Sequence, residues 1–549
     1  MLGSRDHDVS RRVFLKTSGT ATAIAGLAGC TGDGGGDGGD DGTPASDQKG
    51  GTLRLAQVES PIDFDPIRQV DGSSAVIHYR IFSRLYTFDE GTNLVPHVAS
   101  DEPEVTREGT RWVIPLVDHA EWHNGDPITA EDVEYSLTQP VVEQRENMSK
   151  YEVIDDTEII DETTLQLDLS EFDSRFRVNL QKHLAPKSIR EEHKEPRPDD
   201  NATGGGWNEN IVGSGPFELV EHQEGEQTRL EAVDDHWYKT SNLDEVIVEP
   251  ITEPTTRATS LRTGDVDVIK EVPPQLWDTV QSMEDADVRS SPGLRYSYLA
   301  YNQKEGEAQN LEVRQGINQA FSVESAIERF VEPAGEPSYA TLPVPVTESL
   351  GLPMDKYKDM APGKDIDRAK ELFEQAGVPD DWSPTIMVPK DQVRRDLATA
   401  IANGITEAGY DGQVESVDFG TFLQRYNTGN SDYYTAYIIG WTGAGHPMEY
   451  LYNLYHKDNY GTFAGTFYEN EELMETIDAA RTSTDQESNL ERYDEIITTV
   501  LEDRVHTPLD TNRVAWGVKD YVKGFKVHPR GSYANPRLVT DYQNTWLDD

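Results

Sequence analysis

Strand-like and helix-like segments alternate along most of this chain, and that order constrains its fold more than any other feature. Alternating apolar and polar residues predict a strand in GGTLRLAQVE at 50–59. Apolar residues at helical spacing predict a helix in DIDRAKELFEQAG at 365–377, which stops at a glycine. No internal repeat is evident. We therefore expect an α/β protein of more than one lobe.

Three further segments make the expectation more specific. In SAVIHYRIFSRLYTFD, apolar residues keep helical spacing as far as Leu85. Residues 110–137 predict a strand, a turn and a helix, with Thr129 and Asp132 as a capping box. A strand is predicted at 296–303, after a Pro-Gly pair.

The first 30 residues have the pattern of an export signal. Arg11 and Arg12, followed by Phe-Leu-Lys, resemble a twin-arginine signal, an address that carries folded cargo. The small-residue run at 17–29 is shorter than the ~20 apolar residues that span a bilayer. It ends in LAGC, which resembles a lipobox, so we expect Cys30 to carry a membrane lipid. The Gly/Asp-rich stretch that follows predicts a flexible tether, and a single cysteine allows no intramolecular disulfide.

The charge of the chain excludes some partners. Its 549 residues contain 100 Asp+Glu and 49 Lys+Arg, for a formal net charge of −51. Such a chain is not expected to bind nucleic acid or anionic lipid surfaces. Disorder is disfavoured because 24 Tyr, 15 Phe and 9 Trp accompany clean apolar periodicity. In molar salt the Debye length falls to about 3 Å, so the composition resembles that of extreme halophiles and suggests a haloarchaeal surface protein.

A series of motifs occurs in a fixed order between about residues 50 and 530. In order they are RWVIPLVDHAEWHNGDPITAEDVEYSL, VGSGPFELVE, HWY, LRTGDVDV, NQ, VRQGINQAF, DRAKELFEQAG, GW and VKGFKVHP. Each is weak alone, but the series resembles the family 5 (dipeptide/oligopeptide-binding) solute-binding proteins of ABC importers. The resemblance implies an α/β, two-lobed periplasmic-binding-protein type II fold that closes on a ligand, with an extra subdomain inserted in lobe one.

The resemblance also implies a division of the chain and a set of partners. The expected segments are a signal at 1–29, a tether at 30–49, lobe one at 50–89, the inserted subdomain at 90–204, lobe one again at 205–292, lobe two at 293–504, and a return to lobe one at 505–549. The expected partners are a small-molecule or peptide ligand and an ABC permease with its ATPase subunits. We expect a monomer without a cofactor.

Three alternatives to a plain solute-binding role are open to the sequence. A secreted hydrolase would need a nucleophile, but VGSGP has Val212 where a Gly-x-Ser-x-Gly elbow around Ser214 needs glycine. A metal site is suggested by Asp118, His119, Glu121 and His123, yet on a strand the two histidines lie about 13 Å apart, so no metal is expected. A sensory receptor could use the same binding fold.

Asn147 and Asn201 match the glycosylation pattern, and the sequence does not decide whether either is used.

The resemblance further implies which residues line the cleft. They are Val70, Asp71, Gly72, Ser73, Gly440, Trp441, Thr442, Gly443 and Ala444. We expect Trp441 to form a wall, because an indole can stack on a flat ligand face and donate one hydrogen bond.

Ala444 marks a departure from the peptide-binding members. They carry at this position an aspartate that pairs with the α-amino group of the peptide. Either Asp71 or Glu449 replaces that carboxylate, or the ligand has no amine, as in an oligosaccharide. The bare backbone at Gly443 and Gly445 slightly favours the second possibility.

Overall fold

The computed structural model describes residues 50–68, 71–145, 147–194, 206–361, 363–531 and 538–548. Several of the predictions concern residues outside these ranges. They are Arg11, Arg12, Cys30, Val70 and Asn201. Within the described ranges, no helix combines the length and apolar character needed to cross a membrane.

The strands lie along the whole described chain. They are β1 (Thr52–Gln57), β2 (Tyr86–Phe88), β3 (Leu94–Pro96), β4 (Glu104–Thr106), β5 (Arg111–Pro115), β6 (Ile154–Asp161), β7 (Thr164–Leu169), β8 (Phe217–Gln223), β9 (Gln227–Ala232), β10 (Glu245–Pro250), β11 (Val268–Lys270), β12 (Ala286–Tyr301), β13 (Gly335–Pro337), β14 (Thr385–Pro389), β15 (Gln413–Val417), β16 (Ala436–Thr442), β17 (His506–Lys519), β18 (Val522–Lys523) and β19 (Trp546–Leu547).

The helices are concentrated in the second half of the chain. They are α1 (Gly72–Ile81), α2 (Ala130–Val142), α3 (Phe176–Asn179), α4 (Lys187–His193), α5 (Pro254–Thr263), α6 (Trp277–Gln281), α7 (Leu311–Gln319), α8 (Val323–Phe330), α9 (Val344–Ser349), α10 (Met354–Met360), α11 (Ile366–Ala376), α12 (Gln392–Glu407), α13 (Phe419–Tyr426), α14 (Met448–Tyr455), α15 (Glu471–Thr482) and α16 (Gln486–Glu502).

One mixed sheet runs through both lobes. Its order is β15-β14-β16-β12-β17-β11-β1-β10-β9-β8, with β13 paired to β17. β1 is parallel to β10 and β11, and β14 is parallel to β15 and β16. Helices pack on this sheet, and each half has its own buried apolar clusters. The predicted α/β class is confirmed.

Two long antiparallel strands, β12 and β17, connect the halves of the sheet. The second half of β17 pairs with β11, and its first half pairs with β13. The ladder between β12 and β17 shifts register between Pro292 and Tyr296. The predicted boundary at 292/293 therefore falls inside a strand, and the segment limits proposed from the sequence stay predictions.

The strand predicted at 296–303 begins earlier, at Ala286. Pro292 and Gly293 do not end it because they lie at the register shift, where a missing N–H is tolerated. A Cβ on Gly293 would lie 2.5 Å from Asn512 Oδ1, so a larger residue here would have to displace that side chain.

A separate sheet, in the order β4-β5-β7-β6, lies within the range predicted for the inserted subdomain. Its apolar face and α2 share one buried cluster that includes Trp112 and Leu167. At the start of α2, the Asp132 carboxylate accepts a hydrogen bond from the Thr129 N–H at 3.1 Å. The predicted capping box is present.

Helix α1 ends at Ile81, earlier than the apolar pattern predicts. Its last carbonyl accepts hydrogen bonds from the N–H groups of Ser214 (2.9 Å) and Gly215 (3.0 Å). A Cβ on Gly213 would lie 2.1 Å from the Ile81 oxygen, and one on Gly215 would lie 2.2 Å from the Arg80 oxygen. The glycines of VGSGPF therefore allow a second segment to cap this helix, as a turn before β8.

The tyrosines of segment 433–460 mostly form core. Tyr434, Tyr437, Tyr450 and Tyr455 are fully buried in one cluster of lobe two. The Tyr434 hydroxyl donates to a backbone carbonyl at 2.8 Å, so burial leaves it satisfied. These four tyrosines are therefore core residues rather than ligand contacts of the cavity.

Candidate ligand-binding cleft

A cavity of about 360 Å³ lies where five parts of the chain meet. Helix α1 contributes Ala75 and Tyr79, the end of β16 and the loop after it contribute residues 442–444, and α14 contributes Glu449. The subdomain contributes Lys150 and neighbouring polar residues, and the segment after β17 contributes Arg530. This volume is within the range of small-ligand sites, near its lower end.

Tyr79 organises the lobe-one wall. The guanidinium of Arg84 lies 3.6 Å from the centre of its ring, and the His183 ring contacts it edge-on at 4.9 Å. Arg530 donates hydrogen bonds to the Tyr79 hydroxyl (3.4 Å) and to the Gln181 side-chain oxygen. Arg84 therefore lies on the face of the Tyr79 ring, and Arg530 lies at its hydroxyl.

The lobe-two wall is a tight loop braced from within its own lobe. The Gly443 N–H donates to the Tyr450 hydroxyl at 3.1 Å, and that hydroxyl donates to the Leu294 carbonyl at 2.7 Å. A Cβ on Gly443 would lie 2.8 Å from the Tyr450 ring, so only glycine fits there. The Ala444 N–H donates to the carboxylate of Glu449. Burial in the cleft raises the pKa of Glu449.

Gly440 and Trp441 lie on β16 just before the lining loop. The Trp441 indole N–H donates to the Glu449 backbone carbonyl at 2.8 Å, and its ring contacts Phe463 edge-on at 5.2 Å. Trp441 thus supports the start of α14, which carries Glu449. Its predicted role as a wall against the ligand stays a prediction.

The predicted lobe-one residues stand at the beginning of α1. Asp71 caps this helix, because its Oδ1 accepts from the N–H groups of Ser73 (3.0 Å) and Ser74 (2.7 Å). Gly72 and Ser73 form the first turn, whereas the cavity is reached by Ala75 and by Tyr79 a turn later. Their ligand-binding role also stays a prediction.

Sequence reasoning missed the cationic lining of the cavity. Its basic residues are Arg84, Lys150, Lys182 and Arg530, and its one carboxylate is Glu449. Lys182 donates to the Pro66 carbonyl at 2.8 Å, and burial lowers its pKa to about 7. Lys150 is open to the cleft, yet the surrounding protein displaces bulk water and, with Arg530, lowers its pKa. The only sequence feature that could have pointed to these residues is the scarcity of lysine and arginine in so acidic a chain.

Lobe two touches the subdomain across the cleft. Arg481 Nη1 lies 3.3 Å from Asp173 Oδ2, and the Arg481 carbonyl accepts from the Ser174 N–H at 2.9 Å. The Thr92 hydroxyl donates to the Ser349 hydroxyl at 3.3 Å. Lobe two and the subdomain are therefore in direct contact beside the cavity.

The residues that suggested a hydrolase or a metal site make structural hydrogen bonds instead. The Ser214 hydroxyl accepts from the Ser83 N–H at 3.0 Å and is fully buried. His236 faces the Ser214 carbonyl at 2.8 Å rather than its hydroxyl.

The expected strand around His119 and His123 is irregular. His123 hydrogen bonds the Gly215 carbonyl at 2.8 Å, and His119 lies beside Asp118 at 3.3 Å.

Asn147 lines the cavity, with its amide donating to the Ile67 carbonyl at 3.2 Å.

Two sheet-based lobes joined by long strands, with a ligand-sized cavity between them, define a two-lobed solute-binding protein. The family model for bacterial extracellular solute-binding proteins, family 5 (middle region), matches residues 93–462. The chain belongs to this family, whose members are extracytoplasmic solute-binding proteins rather than enzymes.

Individual relatives agree over nearly the whole length. Oligopeptide-binding protein AppA of Bacillus subtilis is 23% identical over 523 residues, covering 89% of this chain and 91% of the relative. A dipeptide-binding protein of Pseudomonas aeruginosa is 24% identical over 498 residues, covering 86% and 91%. The crystal structure of the ABC transporter substrate-binding protein CtaP of Listeria monocytogenes matches with a TM-score of 0.79 at 21% identity, covering 91% of this chain and 100% of CtaP. The fold is the expected type II binding-protein fold.

Proposed function

We propose that this protein captures a small peptide-like solute outside the cell and delivers it to an ABC permease. The observation that carries the proposal is the cavity lined by both lobes, with Tyr79 on one side and the 442–444 loop on the other. Ligand contacts on both walls would favour the closed form, and only to the extent that the ligand prefers that form. Two relatives named for peptide binding support the ligand class.

Glu449 is the group we assign to the amine of the ligand. Its carboxylate lines the cavity beside Ala444, the position where the sequence lacks the expected aspartate. Asp71, the other candidate, caps the first turn of α1 through its Oδ1 and is not among the residues that line the cavity. An ammonium paired with Glu449 would offset the desolvation that raises the pKa of this carboxyl group. This geometry favours an amine-bearing solute over a neutral oligosaccharide.

We predict that Glu449→Gln weakens binding of short peptides by about 10- to 100-fold. The change keeps an acceptor for the Ala444 N–H but removes the charge, and a charge-assisted hydrogen bond contributes about 1.5–3 kcal/mol. Calorimetric titration in molar salt should compare dipeptides with their N-acetylated forms. Acetylation should cost the parent protein affinity and cost the variant little. Equal affinity for free and acetylated peptides in the parent, or tight binding of oligosaccharides alone, contradicts the assignment.

Membrane attachment is the second part of the proposal. The twin-arginine motif at Arg11 and Arg12 and the lipobox ending at Cys30 support an extracellular protein held at its membrane by a lipid.

We expect Cys30→Ser to release the protein from the membrane fraction into the medium. The measurement is fractionation of cells that express the parent and the variant at equal levels. An Arg11→Lys, Arg12→Lys double variant provides the control, because it should leave the precursor inside the cell with its signal uncleaved. Unchanged membrane attachment of Cys30→Ser contradicts lipid anchoring at this residue.

A further inference from the structure

The cavity reverses the charge balance of the molecule. The chain has 100 acidic and 49 basic residues. The cavity is lined by four basic side chains and by one acidic side chain, that of Glu449. A cationic cleft in so acidic a protein needs a specific reason, because a halophilic surface is kept soluble by carboxylates, not by buried lysines.

Three of these residues, Lys150, Lys182 and Arg530, form no ion pair with a carboxylate in the described part of the chain. Glu449 acts on Lys150 and Arg530 only from beyond ion-pair distance. Arg530 binds neutral oxygens of Tyr79 and Gln181. Lys182 binds a backbone carbonyl, and Lys150 is open to the cleft.

The buried carboxylate that acts on Lys182 is already paired elsewhere. Asp65 raises the pKa of Lys182 from a distance. Both oxygens of Asp65, however, accept from Arg190 at 2.8 Å. Arg190 in turn binds Glu143 at 2.7 Å, which closes that network without the cavity.

These cations are also partly desolvated, which makes an anion the natural occupant. Burial lowers the pKa of Lys182 to about 7 and lowers that of Lys150 as well. Burial in a cleft costs each ammonium hydration energy that a bound oxyanion would restore. Pairs formed away from bulk water are also screened less by molar salt than pairs on the surface.

We propose that this cleft selects a small solute that carries at least two carboxylates, as in an acidic dipeptide. Its amine lies at Glu449, and its carboxylates lie among Lys150, Lys182 and Arg530. The inference rests on the proposed function, since it names the ligand class of the same cavity. The volume of about 360 Å³ suits a compact dianion better than a long peptide.

The test is calorimetric titration of the full chain in molar salt with two isosteric dipeptides, Glu-Glu and Gln-Gln. Glu-Glu should bind at least about tenfold more tightly, as charge-assisted contacts predict. Arg530→Gln and Lys150→Gln should each bring the two affinities to within about threefold. Lys370→Gln removes a charge from an outer helix face, where its side chain is 59% exposed, and should leave the ratio unchanged. Lys150 opens onto the cleft and, among the described residues, makes no packing contact on which the fold depends, so its variant tests the inference even where Arg530→Gln lowers the melting temperature.

The outcomes separate the inference from the function on which it rests. Equal affinities for Glu-Glu and Gln-Gln in the parent, with binding intact, overturn the inference and leave peptide capture standing. Tight binding of citrate that depends on Arg530, with no binding of either dipeptide, supports a polyanionic solute and overturns peptide capture. Binding of none of these three solutes overturns the inference.

Discussion

Replacing Arg190 with methionine is expected to lower the free energy of unfolding by about 3–5 kcal/mol. Arg190 is fully buried and binds two buried carboxylates, Asp65 at 2.8 Å and Glu143 at 2.7 Å. Methionine has a similar reach but no charge, so both carboxylates would remain in the interior without their main partner. The loss comes from these stranded charges rather than from a cavity.

Urea unfolding at constant molar salt measures this change, because urea leaves the ionic strength fixed. Arg145→Met is the matched control. Arg145 contacts Glu143 at 2.6 Å from a partly exposed position, with 17% of its side chain accessible. It should cost about 1 kcal/mol. A change below 1 kcal/mol for Arg190→Met would contradict the assigned role of the network.

The same network sets an acid limit on stability. Burial alone would raise the pKa of Glu143, but hydrogen bonds from Arg190 outweigh it and lower the pKa from 4.5 to about 2. A carboxyl group with a depressed folded-state pKa contributes stability above its unfolded pKa. The contribution should therefore be complete above about pH 4.5 and lost as the pH falls towards 2. The Arg190→Met variant should lack this part of the pH dependence.

Gly404→Ala is expected to destabilise the protein by about 2 kcal/mol, although alanine is the better helix former. Gly404 lies in α12, where an added Cβ would stand 1.8 Å from the Ala320 carbonyl oxygen at the end of α7. Helix propensity favours alanine by about 1 kcal/mol. Overpacking costs about 1–3 kcal/mol or more, and here the obstacle is backbone that cannot rotate away. The steric cost exceeds the propensity gain.

Gly420→Ala serves as the control, because here the same change is not expected to lower the free energy of unfolding. Gly420 is exposed in the first turn of α13, and its added Cβ would meet only the Asp418 side chain, at 3.5 Å. This change should be neutral or stabilise by up to about 1 kcal/mol. The melting temperatures of both variants, measured at one salt concentration, test these two expected changes in stability. Stabilisation by Gly404→Ala would show that α12 and α7 can separate at little cost.

Local structure was predictable because its causes are local. The sequence predicts a helix between Asp365 and Gly377, and α11 lies between these two residues. Asp365 accepts a hydrogen bond from an N–H of the first turn, and Gly377 ends the helix with φ of 70°. The exact ends of helices were harder to predict from the sequence. The early end of α1 at Ile81 depends on Ser214 and Gly215, more than 130 residues away. No window around α1 contains that information.

The candidate site was predictable only in part, for the same reason. The Gly-Trp motif led to the 442–444 loop because that loop is a short continuous segment. Lys150, Lys182 and Arg530 come from distant segments, and none belongs to a motif. What joins them is the folding of the subdomain and of the segment after β17 onto α1. That juxtaposition depends on topology rather than on spacing.

The position of β17 within the sheet has a consequence for biogenesis. It lies between β12 and β11 and links the two lobes, yet it comprises residues 506–519. A ribosome must therefore synthesise almost the whole chain before the central ladder of either lobe can form. Contacts of such long sequence separation form slowly and leave unpaired strand edges exposed meanwhile. Both lobes are thus expected to mature together, only after nearly the whole chain has been synthesised.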